Sequence, residues 1–179
     1  MADLIPLWKT PTQAQAKNIL ILSRARTLGL VGDLEGPNLT RVTQLGGGAW
    51  SVKDLLGHLA AYEEQALSVG TLRKPPLDFA RFGTVDERNA ADIERKRSWS
   101  VQRVRQDLDT TRSELLQAID DMDEDRWMTK IFAGGGRSAL ALVLGRLLVG
   151  GRHGLYAHDF AHVRDLEKSV DRLRRSNGG

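Results

Sequence analysis

The residues with the clearest chemical potential are histidines, of which the chain has four. His158 and His162 are four positions apart, so on a helix their rings lie on one face, one turn from each other. His58 shares a stripe at three- and four-residue spacing with Leu55 and Tyr62, which turns its ring toward the interior. Core-facing side chains from different helices converge in a bundle, where such proteins build metal sites. The pattern therefore predicts one divalent-metal site made of His58, His158 and His162.

The same histidines have a simpler interpretation as core residues. A lone histidine on an apolar face is more often hydrogen-bonded in the core than bound to a metal, and pairs four positions apart also arise by chance. If a metal is bound, three imidazoles leave coordination positions open, which suits catalysis or ligand exchange better than a structural role. Neutral imidazole binds zinc, nickel, copper and iron, so the residues alone do not choose the metal. The fourth histidine, His153, is turned roughly 140° from His158 on a helix, so we place it outside the site.

Three further polar residues lie close to the histidines in the sequence. Tyr62 follows His58 by one helical turn and could donate a proton or position a ligand. Its alternative role is that of a core tyrosine with the hydroxyl at the edge of the bundle. Glu63 and Asp159 are turned about 100° from the ligand faces, so we expect them to face solvent or to support the ligands from behind. A metal at this site would act as a Lewis acid that lowers the pKa of a bound thiol or water.

Composition restricts both the chemistry and the compartment. The chain has no cysteine, which excludes disulfides, thiolate zinc sites and a cysteine nucleophile, so any reacting thiol must arrive with a cofactor. The N-terminus lacks a basic start followed by an apolar run. The longest apolar run, Ala139 to Val149, is interrupted by Arg146 and is shorter than the roughly 20 residues that a membrane span needs. These features predict a cytoplasmic protein with no membrane partner.

Charge is the sequence feature that bears on a nucleic-acid partner. The formal net charge is +3 and the sequence pI is about 9.4. Basic residues cluster within 95–97 and 172–175, but Asp92 and Glu94 interleave with the first cluster. A nucleic-acid-binding protein would show a one-sided basic stripe with aromatic or base-reading partners. We therefore expect a small-molecule substrate and no nucleic acid.

Four long helices are predicted to carry the candidate site. Each has apolar residues at three- and four-residue spacing, and the second begins with Ser51 at the N-cap and Asp54 three positions later. The predicted bounds are Thr12 to about Leu28, Val52 to about Leu72, Val101 to about Met122 and about His153 to Leu173. Residues 1–10 are expected to form an irregular lead-in and residues 174–179 a frayed tail. At 179 residues, the chain fits a single domain over 1–179.

Glycine and proline clusters mark the predicted connections. Gly36-Pro37-Asn38 is predicted to be a turn. A loop over 75–84 and a short helix from about Val85 to Arg95 form one long crossover between the second and third long helices. The sequence has no convincing strand pattern. The predicted fold class is therefore all-α, a four-helix bundle with a long crossover connection.

The stretch from Leu140 to Val149 is apolar on nearly every side. Ser138 is predicted to cap a helix that runs through Leu148. Gly150-Gly151 then kinks or interrupts the chain, since each glycine costs about 1 kcal/mol in a helix interior. An exposed part of this stretch would pair with a second subunit, so we expect a homodimer; the alternative is that the stretch is buried within one chain.

Two segments carry a resemblance to a known family. The segment Trp50–Glu63, WSVKDLLGHLAAYE, is similar to the second helix of the DinB/YfiT-like superfamily. The segment His158–His162, HDFAH, resembles its last-helix motif of two histidines four positions apart. Residues 77–127 resemble the middle of the DfsB-like branch, with Asn89 and Trp127 at matching places. The likeness extends over nearly the whole chain.

The resemblance implies a divalent metal, often zinc or nickel, held by His58, His158 and His162 at one end of the bundle. Several members of the superfamily are thiol-dependent transferases or isomerases that use mycothiol, bacillithiol or glutathione, which is compatible with a chain that has no cysteine. The DfsB-like branch also includes a genotoxin self-resistance protein. This sequence departs from the commonest last-helix pattern at residues 163–165. It is also expected to lack the extra C-terminal domain of the mycothiol-dependent maleylpyruvate isomerases.

Three hypotheses about function follow. The first is a metal-dependent thiol transferase or hydrolase that acts on a small electrophile in stress or detoxification, with Tyr62 as the candidate catalytic residue. The second is a non-catalytic bundle that binds a small molecule or a protein partner. The third is a histidine-lined core that binds nothing. Bound metal, and metal-dependent consumption of a thiol with a model electrophile, would distinguish them.

Overall fold

The structure, a computed structural model, describes residues 4–45, 49–71, 82–133 and 135–177. Within these ranges the backbone forms eight α-helices, one 3₁₀ turn and two pairs of short antiparallel strands. In chain order the elements are α1 (Gln13–Val31), α2 (Gly36–Thr40), β1 (Val42–Leu45), β2 (Trp50–Ser51), α3 (Val52–Thr71), α4 (Val85–Lys96), α5 (Val101–Asp120), α6 (Glu124–Met128), β3 (Lys130–Ala133), β4 (Gly136–Ala139), α7 (Leu140–Leu147), the 3₁₀ turn (Gly151–His153) and α8 (His158–Asn177).

The four long helices, α1, α3, α5 and α8, form the bundle. Helix α3 packs most extensively against α5, and α8 packs most extensively against α1. Buried apolar side chains from these helices fill two neighbouring clusters, one around Ile19 and Leu115 and the other around Leu59 and Leu108. The predicted fold class is confirmed, because four long helices form the bundle and α4 lies within the connection between α3 and α5.

Short polar side chains begin α1, α3, α4 and α5, as helix capping requires. The Ser51 backbone N–H donates to Asp54 Oδ2 at 2.9 Å, and the Asp54 backbone N–H donates to Ser51 Oγ at 3.2 Å. This pair is the acidic capping box predicted at the start of α3. Thr12 and Thr84 form capping boxes at the starts of α1 and α4, and the Ser100 side chain accepts a bond from the Arg103 backbone N–H at the start of α5.

The buried face of α1 differs from the apolar stripe that helical spacing predicts, namely Ala14, Ala16, Ile19, Leu20, Leu22 and Ala25. Ala16, Ile19 and Leu20 are buried, but Ala14, Leu22 and Ala25 are exposed. Ser23, Arg24 and Thr27 are buried instead. The rotation follows from Arg24, whose guanidinium forms ion pairs inside the bundle and therefore faces the other three long helices.

Local backbone chemistry produces three further departures from the predicted elements. Gly36-Pro37-Asn38 opens the short helix α2 rather than a simple turn, since proline is favoured in the first helical turn. Ser138 lies in β4, opposite Ile131 of β3, so α7 has Ala139 at its N-cap and begins at Leu140. The prediction of no strands was wrong because both strand pairs are too short to show alternation. The predicted loop over 75–84 lies largely outside the described residues, since 72–81 are not described.

The chain between α7 and α8 breaks fully at the glycines. Gly151 and Gly154 have φ values of 57° and 86°, a region that favours glycine. Tyr156 also has a positive φ of 61° and donates its buried hydroxyl to the Ala141 carbonyl at 2.6 Å. Helix α8 therefore begins at His158 instead of His153, and the prediction of one helix from His153 was wrong.

The C-terminal helix α8 is longer than predicted. Helix α8 continues to Asn177, beyond the predicted start of the frayed tail, and Arg174 pairs with Asp33 at 2.7 Å.

Most of the apolar stretch that begins at Leu140 is buried against the chain itself, namely Leu140, Ala141, Val143, Leu144 and Leu148. This burial removes the reason for expecting a homodimer through this stretch. None of the described helices is long and apolar enough to cross a membrane. A single domain over 1–179 stays a prediction.

Candidate metal centre

Helices α3 and α8 bring three histidines together in space. His58 lies in the second turn of α3, and His158 and His162 lie in the first and second turns of α8. One ring nitrogen from each residue can be chosen so that all three atoms lie within 4.8 Å of one another. The ring centroids of His58 are 5.0 Å from those of His158 and 5.2 Å from those of His162. The three histidines predicted from the sequence are therefore close in space, although about a hundred residues separate His58 from the other two.

The local sequence sets the direction of each ring. His58 belongs to the buried face of α3, with Leu55 and Leu59 beside it, and is only 2% exposed. Helix α8 starts at His158 because the preceding chain adopts glycine-type backbone at Gly154 and a positive φ at Tyr156. The break thus places the first turn of α8, with its histidine, against α3.

The donor set fits a divalent metal. Nδ1 of His58 is buried and has no hydrogen-bond partner among the residues that the structure describes. The Nε2 atoms of His158 and His162 face each other at 3.2 Å. Zinc–imidazole bonds of about 2.0–2.1 Å in a tetrahedron would separate ligand nitrogens by about 3.3 Å, close to that spacing. The cluster is therefore compatible with metal binding, and imidazole alone does not choose among the metals it can bind.

Burial keeps these imidazoles in the form that binds metals. Burial, and then repulsion from His158 and His162, lowers the pKa of His58 well below its ordinary value. Burial, and then His162, lowers the pKa of His158 from 6.5 to about 3. Burial also lowers the pKa of His162. Neutral imidazole has a free lone pair on one ring nitrogen, as coordination requires.

Tyr62 and Trp50 line the cluster with aromatic surface. The Tyr62 ring lies 4.4 Å from the His158 ring and 4.8 Å from the His58 ring, and the Trp50 ring lies 4.9 Å from the His58 ring. The Tyr62 hydroxyl donates to Asn89 Oδ1 of α4 at 3.0 Å. The side chain is partly buried, and its ring contacts the rings of His58 and His158.

Arg88 and burial act on Tyr62 in opposite directions. The Arg88 guanidinium lies 5.5 Å from the centre of the Tyr62 ring and its Nη2 approaches the hydroxyl at 3.5 Å. Burial raises the pKa of Tyr62 above its ordinary value, and the positive charge of Arg88 only partly offsets it. The hydroxyl therefore keeps its proton at neutral pH and can donate it.

Glu63 and Asp159 do not face solvent. Both are 2% exposed, and they form a buried ion-pair network with Arg24 and Arg112. Neither belongs to the histidine cluster. Burial alone would raise the pKa of Asp159, but Arg24 and Arg112 outweigh burial and hold it below its ordinary value.

Sequence reasoning missed the two arginines of this network. The sequence feature that could have found them is an arginine at helical spacing from buried apolar residues. Arg24 follows Leu20 by four positions, and Arg112 stands between Leu108 and Leu115 at four- and three-residue spacing. A charged residue in a core register indicates a buried ionic partner, since an unpaired buried charge is costly.

The fourth histidine lies outside the cluster, as expected. His153 is in the 3₁₀ turn, and its ring is 6.1 Å from the ring of Phe160.

A second polar feature lies away from the histidines, in a groove of about 430 Å³ between β1 and the end of α8. Arg41 and Arg172 line this groove. Among the described residues neither arginine pairs with a carboxylate; they donate to Ser176 Oγ at 2.8 Å and Gln44 Oε1 at 3.0 Å.

Comparison with known proteins identifies a family for most of the chain. Residues 21–149 match the family described as "Mycothiol maleylpyruvate isomerase N-terminal domain". This range includes His58 but ends before His158 and His162. No curated protein is significantly similar to the chain in sequence.

Solved structures share the fold at low sequence identity. A mycothiol-dependent maleylpyruvate isomerase is 15% identical, with a TM-score of 0.63; the match covers 91% of this chain and 63% of the isomerase, so the chain spans less than two thirds of that protein. The colibactin self-resistance protein ClbS, in complex with a dsDNA, is 12% identical, with a TM-score of 0.62 and coverage of 96% and 99%. An uncharacterised protein from Escherichia coli UTI89 is 13% identical, with a TM-score of 0.60 and coverage of 96% and 93%.

The ClbS complex corrects the expectation that excluded nucleic acid. A protein with this fold and with nearly the same chain length is found with dsDNA. The exclusion was wrong because it was drawn from net charge and from the absence of a basic stripe along the sequence. Arginines far apart in the chain, such as Arg41 and Arg172, meet on the folded surface, where the sequence shows no stripe.

Proposed function

Because the chain belongs to the mycothiol maleylpyruvate isomerase N-terminal domain family, we propose that it is a divalent-metal-dependent enzyme that uses a low-molecular-weight thiol on a small electrophile. The reaction would be a thiol transfer or a thiol-assisted isomerisation. The observation that carries the proposal is the cluster of His58, His158 and His162, whose ligand atoms lie within 4.8 Å of one another. The absence of cysteine means that the thiol must come from outside the chain.

His58, His158 and His162 would hold the metal, with zinc or nickel as the proposed ion. The bound ion would supply Lewis acidity that lowers the pKa of a thiol at the site. The chain's own residues supply the rest of the chemistry. Three neutral imidazoles, of which His58 is fully buried and His162 is partly buried, offer lone pairs and leave positions open for an exogenous ligand. Trp50 and Tyr62 place aromatic rings beside the cluster.

Tyr62 is the proposed proton donor. Its hydroxyl is fixed by Asn89 at 3.0 Å and its raised pKa keeps it protonated. When a thiol sulfur forms a bond to an electrophilic carbon, negative charge develops on the electrophile. A hydroxyl positioned beside the histidines can donate a hydrogen bond or a proton to that charge.

The test is a thiol-consumption assay with metal-loaded protein. Glutathione and mycothiol are offered separately with chlorodinitrobenzene, and the protein is loaded with zinc or nickel or stripped with EDTA. We expect consumption above background only with metal, lost in His162→Ala and retained in His153→Ala, since His153 lies outside the cluster. Metal-loaded parent protein that never exceeds background with any thiol and several electrophiles would refute the enzyme and favour a non-catalytic binding bundle.

A second candidate function is DNA binding, favoured by a specific observation. ClbS, which shares the fold, is found in complex with a dsDNA. In this chain Arg41 and Arg172 line a groove together with the hydroxyls of Thr43, Ser169 and Ser176. Arginine and hydroxyl groups are common donors to phosphate oxygens.

Fluorescence anisotropy with a labelled duplex at several salt concentrations tests this candidate. Binding through the groove predicts weaker affinity for the double variant Arg41→Ala/Arg172→Ala, with a salt slope smaller by roughly 0.9 per lost phosphate contact. Arg26→Ala is the matched control, because Arg26 is exposed but paired with Glu167. Equal affinity of all three proteins, or no binding at low salt, would refute DNA binding at this groove.

A further inference from the structure

A network of four buried charged residues joins the four long helices at the level of the histidines. Arg24 comes from α1, Glu63 from α3, Arg112 from α5 and Asp159 from α8. Their exposed fractions are 5%, 2%, 6% and 2%, respectively. We call these four residues the buried quartet. Two positive and two negative charges leave it with no net formal charge.

Each arginine of the quartet bridges both carboxylates. Arg24 Nε lies 2.7 Å from Asp159 Oδ2, and Arg24 Nη2 lies 2.8 Å from Glu63 Oε1. Arg112 Nε lies 2.8 Å from Glu63 Oε1, and Arg112 Nη2 lies 3.0 Å from Asp159 Oδ1. The remaining guanidinium donors also reach backbone: Arg24 Nη1 donates to the Leu108 carbonyl at 3.0 Å. Planar guanidinium forks fix both distance and direction, which a point charge does not.

The carboxylates of the quartet are covalent neighbours of site residues. Asp159 directly follows His158, and Glu63 directly follows Tyr62, five positions after His58. A shift of α8 along its axis, or a rotation about it, would move Asp159 and His158 together. The bonds of the quartet therefore constrain the position of the histidine as well as that of the carboxylate.

The helices that carry the histidines need such a constraint. Helix α3 packs mainly against α5 and α8 mainly against α1, so the two ligand-bearing helices belong to different pairs. Apolar packing tolerates small slides and rotations more readily than directional hydrogen bonds do. Buried ion pairs are also a poor source of stability, since apolar residues of similar volume often replace them without loss. What the quartet provides that apolar packing does not is a fixed register between the helix pairs.

We propose that the buried quartet is a positioning device that holds α3 and α8 in the register in which His58, His158 and His162 close on one metal ion. Glu63, Asp159 and the two arginines act through the histidines and do not touch the metal. The inference rests on the proposed function only in assuming that the cluster binds a metal.

The test uses Co²⁺ titration of the metal-free protein, followed by the visible absorption bands that report ligand geometry. Asp159→Asn keeps the shape of the side chain and removes its charge, whereas Arg112→Lys keeps the charge and removes the fork. Asp171→Asn, an exposed position on the same helix, is the matched control. For both quartet variants we expect a dissociation constant raised about tenfold or more, as for residues that orient metal ligands, together with shifted bands. The control should match the parent.

The outcomes separate the quartet from the site. Unchanged Co²⁺ affinity and bands in folded Asp159→Asn and Arg112→Lys proteins would overturn the positioning role, even if their melting temperatures fell. Unchanged binding in Arg112→Lys with weaker binding in Asp159→Asn would also overturn it, because net charge rather than geometry would then govern affinity. If either variant fails to fold, Thr111→Val leaves all four quartet residues in place and removes the 3.3 Å bond from the threonine hydroxyl to Glu63, together with its contacts to the Asp107 and Leu108 carbonyls. The same shift in bands is expected. A parent that takes up no cobalt would refute the metal site itself.

Discussion

His158 makes the folded, metal-free protein sensitive to acid. Burial, followed by repulsion from His162, lowers the pKa of His158 from 6.5 to about 3. In the unfolded chain the imidazole keeps a pKa of about 6.5. Between these two values the unfolded state binds a proton that the folded state does not. The free energy of unfolding therefore falls as the pH is lowered through this window.

The size of the effect follows from proton linkage. Stability from this group is complete above pH 6.5 and is lost progressively down to pH 3. From pH 7 to pH 5 the loss due to His158 is about 2 kcal/mol, since the interval covers about 1.5 pH units below the unfolded pKa and each unit is worth about 1.36 kcal/mol. The pKa values of His58 and His162 are lowered in the same direction, so their contributions add to this loss.

Urea unfolding at pH 7 and pH 5, with EDTA present, measures the effect. The parent should lose about 2 kcal/mol more than His158→Gln over this interval, because the variant has no imidazole to protonate at that position. His153→Gln serves as the control for loss of a histidine outside the cluster and should behave like the parent. Equal pH dependence of the parent and His158→Gln would refute the burial of a neutral imidazole at His158.

Two further predictions concern backbone and catalysis. Gly154→Ala should destabilise the fold by about 2 kcal/mol or more, because φ is 86° and the added Cβ would overlap the Ile5 carbonyl. The control, Gly29→Ala, lies in an open part of α1 and should stabilise the fold by about 0.5–1 kcal/mol. Thermal melts that show equal effects of the two substitutions would contradict the break before α8. Tyr62→Phe should lower the rate of thiol consumption about 10²-fold, because the hydroxyl that is the proposed proton donor is lost. The metal content should not change, because the three histidines remain. An unchanged rate would show that Tyr62 takes no part in the chemistry.

The helices were predictable where the helical spacing of apolar residues and the N-cap residues indicate the same element. Ser51 and Asp54 begin α3 as predicted, and the stripe that contains His58 is buried. The spacing of His158 and His162 placed both rings on one face of a helix, and the structure brings that face to His58. These features depend on short-range periodicity, which the sequence displays directly.

Features that depend on contacts between distant segments were not predictable in the same way. The sequence suggested that Glu63 and Asp159 face solvent or support the ligands, but burial depends on Arg24 and Arg112, which come from other helices. The start of α8 was misplaced because the conformation of Tyr156 is set by the packing of its ring and hydroxyl inside the bundle.

The metal content of the purified protein tests the central claim most directly. Metal-stripped parent, His58→Ala, His162→Ala and the control His153→Ala are loaded with zinc, nickel, iron or manganese, desalted and analysed by elemental mass spectrometry. The three-histidine site predicts close to one ion per chain in the parent and in His153→Ala, and loss of the ion in His58→Ala and His162→Ala. No retained metal in the parent, or equal retention in all four proteins, would contradict the site, and the histidines would then be core residues.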